Sequence, residues 1–439
     1  MKNKKWMAIL LGGIMAASLA APCSVSAAEK TTLTFWHAMG GTNGEVLQQI
    51  VDDFNASQDE IEVKAEYQGT YDDTITKLKA AMQSDSGLPD VCQMYDVGTK
   101  FMYDSGAVIP VEDKFESTGY DKSSVMDVIS SYYTVDGKQY AMPFNVSTPM
   151  LYYNKDVFEA AGLDPETPPT TYDEVLEDAK KIVESGAAPV GYSQAIYGWF
   201  FEQQLAGLGV TYGNNDNGRT EAVTAVDFDS NGGLKVFDMW KKLYDSGYFE
   251  DYGTTTADTQ TAFFSGQVGM IIESTAILKN AVDSSPFEVG TGYLPRIEQN
   301  DEGGVIIGGG SLWLTDTGNE ANEDAAWKFI EYITTPDVQA KWSMGTGYFA
   351  INEKAYETDD MKAYLEENPN FETAINQLKD SPVNCNTAGV LSGVQTEARL
   401  TFNEIMPQVY DGKLTTQDAV DQLAASVNKA IENYNESIK

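Results

Sequence analysis

From Leu33 to Tyr95 the chain switches repeatedly between two hydrophobic periods, and that switching limits the possible folds more than any other feature. Leu33-Thr34-Phe35-Trp36 is a short apolar-rich run. Val46, Ile50 and Phe54 then recur every four residues, with Leu47 and Val51 beside them, the spacing of an amphipathic helix. Ile61 to Ala65 alternates apolar and polar residues as a strand does; Ile75, Leu78 and Met82 mark a second helix, and Asp90 to Tyr95 a third strand. Strand, helix, strand, helix, strand requires parallel pairing through helical crossovers, so the expected class is α/β. A second series begins near Met150-Leu151-Tyr152-Tyr153, and Thr171 with Glu174 has the spacing of a capping box at a helix start. Later helices are predicted over Glu323 to Thr334 and Thr416 to Tyr434. Asn214-Asn215-Asp216-Asn217-Gly218 starts like a calcium loop but lacks a correctly spaced closing Glu, and reads as a polar turn. At 439 residues the chain exceeds one ordinary core, so more than one unit is expected.

The first residues read as a targeting segment. Lys2, Lys4 and Lys5 precede an apolar stretch from Trp6 to Ala21, and Pro22 to Ala28 offers small residues for cleavage after Ala27 or Ala28. A signal peptide over 1–28 and export from the cell are therefore expected. Cys23 raises a lipid-anchored alternative, but Ala20 and Pro22 fit that signal poorly, which makes free secretion the preferred reading. No later run of about 18 apolar residues exists, so the mature chain is not expected to span a membrane. A formal charge of -37 repels phosphate backbones and excludes nucleic acid as a partner. Cys92 and Cys385 lie far apart in sequence and read as buried free thiols rather than a staple.

The chemistry of common enzymes is missing. His37 is the only histidine, which leaves no Ser-His-Asp or Cys-His scheme unless it serves itself, and too few ligands for zinc. Gly191-Tyr192-Ser193-Gln194-Ala195 approaches a nucleophile elbow but ends in Ala. No P-loop occurs, and Gly308-Gly309-Gly310 lacks the downstream Gly of a dinucleotide fingerprint. Paired carboxylates leave a secreted glycoside hydrolase as a remote alternative. A non-enzymatic role without cofactor or metal is expected. Ligands of α/β sheets sit beyond the carboxyl ends of strands, and in a two-unit protein the cleft between the units is the natural place for one.

Several phrases resemble the bacterial extracellular solute-binding proteins of the maltose-binding type. They are Thr34-Phe35-Trp36-His37, Tyr67-Gln68-Gly69-Thr70-Tyr71, Tyr95-Asp96-Val97-Gly98-Thr99 and Pro143-Phe144-Asn145-Val146-Ser147-Thr148-Pro149. Leu151 to Asp156, Ala161 to Pro165, Ile307 to Trp313 and Thr346-Gly347-Tyr348 continue the likeness, which is strongest to the glycerol-3-phosphate-binding members. The resemblance implies a two-lobed, type II periplasmic-binding-protein-like fold with a ligand cleft between the lobes. Crossings are expected near 144–149, 271–275 and 311–315. That places 29–146 and 275–315 in lobe 1, and 147–274 and 316–439 in lobe 2. It also implies a monomeric receptor that closes over a small molecule and hands it to the permease of an ABC importer, either periplasmic or at the cell surface.

Carried over position by position, the resemblance implies a ligand set of Tyr71, Asp96, Ser147, Ser274, Gly309, Tyr348 and Arg399. The residue types suit a glycerol phosphate compound. Hydroxyls and a guanidinium fork can hold a phosphoryl group, while Asp96 and Tyr71 can pair with glycerol hydroxyls. Arg399 stands out because the chain has 26 lysines but only three arginines, at 219, 296 and 399. Trp36 and Trp199 are candidates to stack on the carbon face of a ligand. His37, next to Trp36, reads as a structural histidine. Asp96 replaces the Glu of the glycerol-3-phosphate proteins, withdrawing the carboxylate by about one methylene. That leaves room for a glycerophosphodiester such as glycerophosphocholine, or for a plain sugar or oligosaccharide, beside sn-glycerol 3-phosphate itself.

Overall fold

A computed structural model describes residues 30–84 and 87–438. The expected signal segment and Cys23 lie outside the described residues. Twelve strands follow in order: β1 (Thr31–His37), β2 (Ile61–Tyr67), β3 (Val91–Tyr95), β4 (Val108–Ile109), β5 (Thr134–Val135) and β6 (Lys138–Gln139), then β7 (Met142–Ser147), β8 (Pro149–Asn154), β9 (Val190–Ser193), β10 (Val268–Ser274), β11 (Val289–Gly292) and β12 (Gly308–Thr315). The first lobe is built on a sheet ordered β2-β1-β3-β12-β4, with β7 also paired to β12. β1, β2 and β3 are parallel, as the crossover helices Gly41–Ser57 and Tyr71–Met82 demand. The predicted periodicity of the first helix is realised: Leu47, Ile50, Val51 and Phe54 are its buried face. The second lobe carries a sheet ordered β11-β8-β10-β9. Residues alternate between its two faces. Leu151, Tyr153, Met270 and Ile272 enter one hydrophobic cluster with the helix Tyr172–Ser185, whereas Met150, Tyr152 and Ile271 join the cluster of the first lobe. The capping box of Thr171 and Glu174 starts that helix as expected. The turn at 214–218 is wound left-handed, with Asn215, Asp216 and Asn217 all near φ +55°.

Packing corrects two parts of the expected lobe division. β11, placed in lobe 1 from sequence, pairs with β8 in the second sheet. The chain therefore returns to the first lobe between Gly292 and Gly308, and β12 lies wholly within it. The helices Glu320–Ile333 and Pro336–Thr346, placed in lobe 2, instead pack on the first lobe. Phe329 meets the rings of Phe35 (5.5 Å) and Phe54 (5.2 Å), and Trp342 stacks on Phe144 at 4.6 Å. Their apolar stripes are satisfied by the sheet from which β12 has just emerged. Cys92 and Cys385 are both free; Cys92 is buried in β3, but Cys385 is half-exposed rather than buried. Burial pushes the Cys92 thiol up to about 12, which keeps it protonated and inert.

Candidate ligand cleft between the lobes

Strand register assembles one wall of the cleft. β12 runs antiparallel to β3 and β7, with Gly310 opposite Tyr95 and Gly308 opposite Ser147. The carboxyl end of β3, the end of β7 and the start of β12 therefore meet on one edge, which gathers Asp96, Ser147 and Gly309. Gly309 has φ +89°, and a Cβ there would lie 1.9 Å from the Asn145 carbonyl oxygen, so only glycine fits. Asn145, on β7 opposite Gly310, organises a neutral relay. Gln93 Nε2 donates to Asn145 Oδ1 (2.7 Å), and Asn145 Nδ2 donates to the Tyr71 hydroxyl (2.7 Å). Tyr71 stacks on Tyr95 with centroids 5.1 Å apart, and burial raises its phenol well above the usual range. Tyr348 joins them after the helix Pro336–Thr346: its chain is tied to β7 by Phe349 N–H donating to Val146 O (3.0 Å), and its ring stacks on Trp342.

The second wall comes from two packed helices, Gly198–Gly207 and Gln395–Tyr410. They approach closely because residue 198 is glycine; a Cβ there would sit 2.5 Å from Arg399 Cα, and the Gly198 N–H donates to Asn403 Oδ1 (2.9 Å). Arg399 is buried between them. Its Nε donates to Glu202 Oε1 (2.8 Å) and its Nη2 to Glu202 Oε2 (2.7 Å), a two-pronged pair that Gln395 Nε2 supports by donating to Glu202 Oε1 (2.8 Å). Across the cleft, Nη2 also reaches Asp96 Oδ2 at 2.7 Å. Burial opposes the charge on Arg399, but Asp96 and Glu202 outweigh it and hold the guanidinium ionised. Burial pushes the Glu202 carboxyl up, and Arg399 opposes that push. Tyr95 and Thr396 hydroxyls bond across the same seam (2.8 Å), Arg219 Nη1 donates to the Tyr132 carbonyl (2.9 Å), and Tyr434 donates to Asp104 (2.6 Å), so the lobes meet in a closed arrangement.

Of the expected residues, Tyr71, Asp96, Ser147, Gly309, Tyr348 and Arg399 converge on this seam. Ser274 ends β10 opposite Pro149, beside the crossing from β7 to β8, and its hydroxyl accepts the Ala276 N–H (3.2 Å). Trp199 is buried, its indole lying over Gly308, and Nε1 has no hydrogen-bond partner among the described residues. The hydroxyls of Tyr133 and Ser311 lie buried beside each other near the cluster, and Gln395 Oε1 is buried there too, so polar groups point inward. Trp36 is not among them: it lies on the face of β1 opposite Phe35 and donates to Glu66 across the β1–β2 pair (3.0 Å). Sequence reasoning missed Glu202, Asn145 and Gln395. A single acid within the otherwise uncharged run Gly198 to Ala206 was the available signal for Glu202. A separate cavity of about 530 Å³, lined by Pro168, Thr170, Tyr293, Arg296, Gln377 and Ser381 among others, includes none of the seven expected ligand residues.

Residues 49–373 match the family model described as bacterial extracellular solute-binding protein. The chain belongs to that family. It is 31% identical over 416 residues to the sn-glycerol-3-phosphate-binding periplasmic protein UgpB of Escherichia coli K12, covering 93% of this chain and 94% of that one. Among solved structures, the cyclic alpha-maltosyl-1,6-maltose binding protein of Arthrobacter globiformis matches with TM-score 0.76 and 27% identity, over 92% of this chain and all of that one. UgpB of Mycobacterium tuberculosis, solved in complex with glycerophosphocholine, matches with TM-score 0.79 and 21% identity, over 93% and 100%. These relatives are binding proteins and not enzymes, and their fold is two-lobed. The receptor is thus the solute-binding component of an ABC importer, and no helix among its described residues is long and apolar enough to cross a membrane.

Proposed function

We propose that the cargo of this receptor is a glycerol phosphate compound, sn-glycerol 3-phosphate or a glycerophosphodiester. One observation carries the reading: a lobe-2 guanidinium and a lobe-1 carboxylate meet at the seam where Tyr71, Ser147, Gly309 and Tyr348 converge. Arg399 supplies a fixed cation for a phosphoryl oxygen, and Asp96 an acceptor for glycerol hydroxyls. The likeness to the sn-glycerol-3-phosphate-binding protein over 93% of the chain supports it. A sugar is the second reading, favoured by the two carboxylates already on Arg399 and by the likeness to the maltosyl-maltose binder. Isothermal titration with glycerol 3-phosphate, glycerophosphocholine and maltose separates them: heat with a phosphorylated compound supports the first, and heat with maltose alone rejects it. The receptor acts as a monomer after removal of residues 1–28, released freely rather than held by a lipid on Cys23. Light scattering of the mature protein, and detergent partitioning of the Cys23→Ser variant against the natural chain, test those two points.

A further inference from the structure

Within the reading of a glycerol phosphate cargo, we propose that Glu202 is a specificity-determining residue that makes the cleft accept a phosphodiester and turn away a phosphomonoester. Arg399 has two carboxylate partners of different kinds. Glu202 and Arg399 sit on helices packed against each other within lobe 2, so their pair persists when the lobes separate. Asp96 belongs to lobe 1 and reaches Arg399 only when they close. In the open receptor the Arg399–Glu202 pair is therefore formally neutral, and on closure one cation meets two anions, for a sum of -1.

That arithmetic decides between ligand charges. A phosphomonoester carries close to two negative charges at neutral pH, since its second ionisation falls near pH 6; a phosphodiester carries one. Both Glu202 and Asp96 are at least nine-tenths buried, where solvent screens charge poorly. The additional charge of a monoester therefore meets a net acidic seam. Glu202 also occupies the Nε and Nη2 edge of the guanidinium, the edge a phosphomonoester would use for a two-pronged grip. Nη1 makes no hydrogen bond among the described residues, and one donor nitrogen is enough for a single diester oxygen. Glu202 fixes which part of Arg399 the cargo meets.

The test is a titration of wild type, Glu202→Gln and Glu202→Asp with glycerol 3-phosphate, glycerophosphocholine and inorganic phosphate, read by calorimetry and thermal shift. Wild type should bind glycerophosphocholine at least tenfold more tightly than glycerol 3-phosphate. In Glu202→Gln that preference should shrink by tenfold or more, while Glu202→Asp, which keeps the charge, should retain it. An unchanged preference in Glu202→Gln, or an equal loss in Glu202→Asp, overturns the inference. Inorganic phosphate separates this outcome from a wrong cargo. If neither glycerol compound binds wild type, a phosphate-dependent rise in melting temperature confined to Glu202→Gln still supports the charge-cancelling role, and its absence refutes it.

Discussion

The two walls of the cleft hold their polar groups in different ways. On the lobe-1 wall, Gln93, Asn145 and Tyr71 form a relay of uncharged groups contained within one lobe, its geometry fixed by the register of β3, β7 and β12. On the lobe-2 wall the polar groups are charged, and Arg399 is shared between a permanent partner and one that arrives from the other lobe. A neutral relay gives shape, because each amide and hydroxyl has a fixed direction but no long-range field. The charged group couples the lobes most strongly: Arg399 takes a carboxylate partner from each, while the neutral Tyr95–Thr396 bond crosses the same seam. Under the proposed cargo reading, the neutral wall recognises form and the charged pair senses closure.

The strongest way to break this comparison is Arg399→Ala. It leaves Glu202 and Asp96 buried without their cation, and should cost about 3–5 kcal/mol of unfolding free energy, measured by denaturant titration. A loss below about 1 kcal/mol would show that the charged wall is not the coupled, buried group described above. Gly309→Ala attacks the neutral wall. The positive φ and the clash with Asn145 O should together cost about 3 kcal/mol and displace the Tyr71 relay, visible as a fall in cargo affinity. His37, at the end of β1, probes the first lobe by pH. Burial lowers its pKa to about 4, so on acidification the unfolded chain takes up the proton first, from about pH 6.5 downward. Stability should therefore fall between pH 6.5 and 4 and be complete only above that window. Because His37 is the only histidine, His37→Gln should remove about 2 kcal/mol of the loss between pH 7 and 4.5, after allowance for partial screening. The smallest effect belongs to Thr396→Val, which removes a neutral bond across the seam. It should shift closure by about 0.5–1.5 kcal/mol and leave lobe stability unchanged, as scattering with and without cargo can show.

Much of this was legible beforehand. The α/β class followed from periodicity alone, because Leu47, Ile50, Val51 and Phe54 can all be buried at once only on a helix. Arg399 was legible through the resemblance, which placed it in the ligand set, and its standing as one of three arginines drew attention to it. The lobe boundaries were not: the apolar stripe of Glu320–Ile333 shows that one face is buried, but not against which sheet. The side of β1 that Trp36 takes was also legible. If Phe35 faces the core, strand parity sends Trp36 to the other side. Glu202 escaped notice because its meaning depends on Arg399, 197 residues away in sequence and adjacent only after folding.

The position of β12 has a consequence for biogenesis. It lies between β3 and β4 in the first sheet, and Thr315 Oγ1 donates to the Pro89 carbonyl across 226 residues of chain. Until residues 308–315 have been synthesised, β3 has an open edge and the N-terminal lobe cannot finish its core. Contacts this distant in sequence form slowly. A chain whose first lobe waits for residues 308–315 reaches its native state late, and its earlier segments stay unfolded for most of its synthesis.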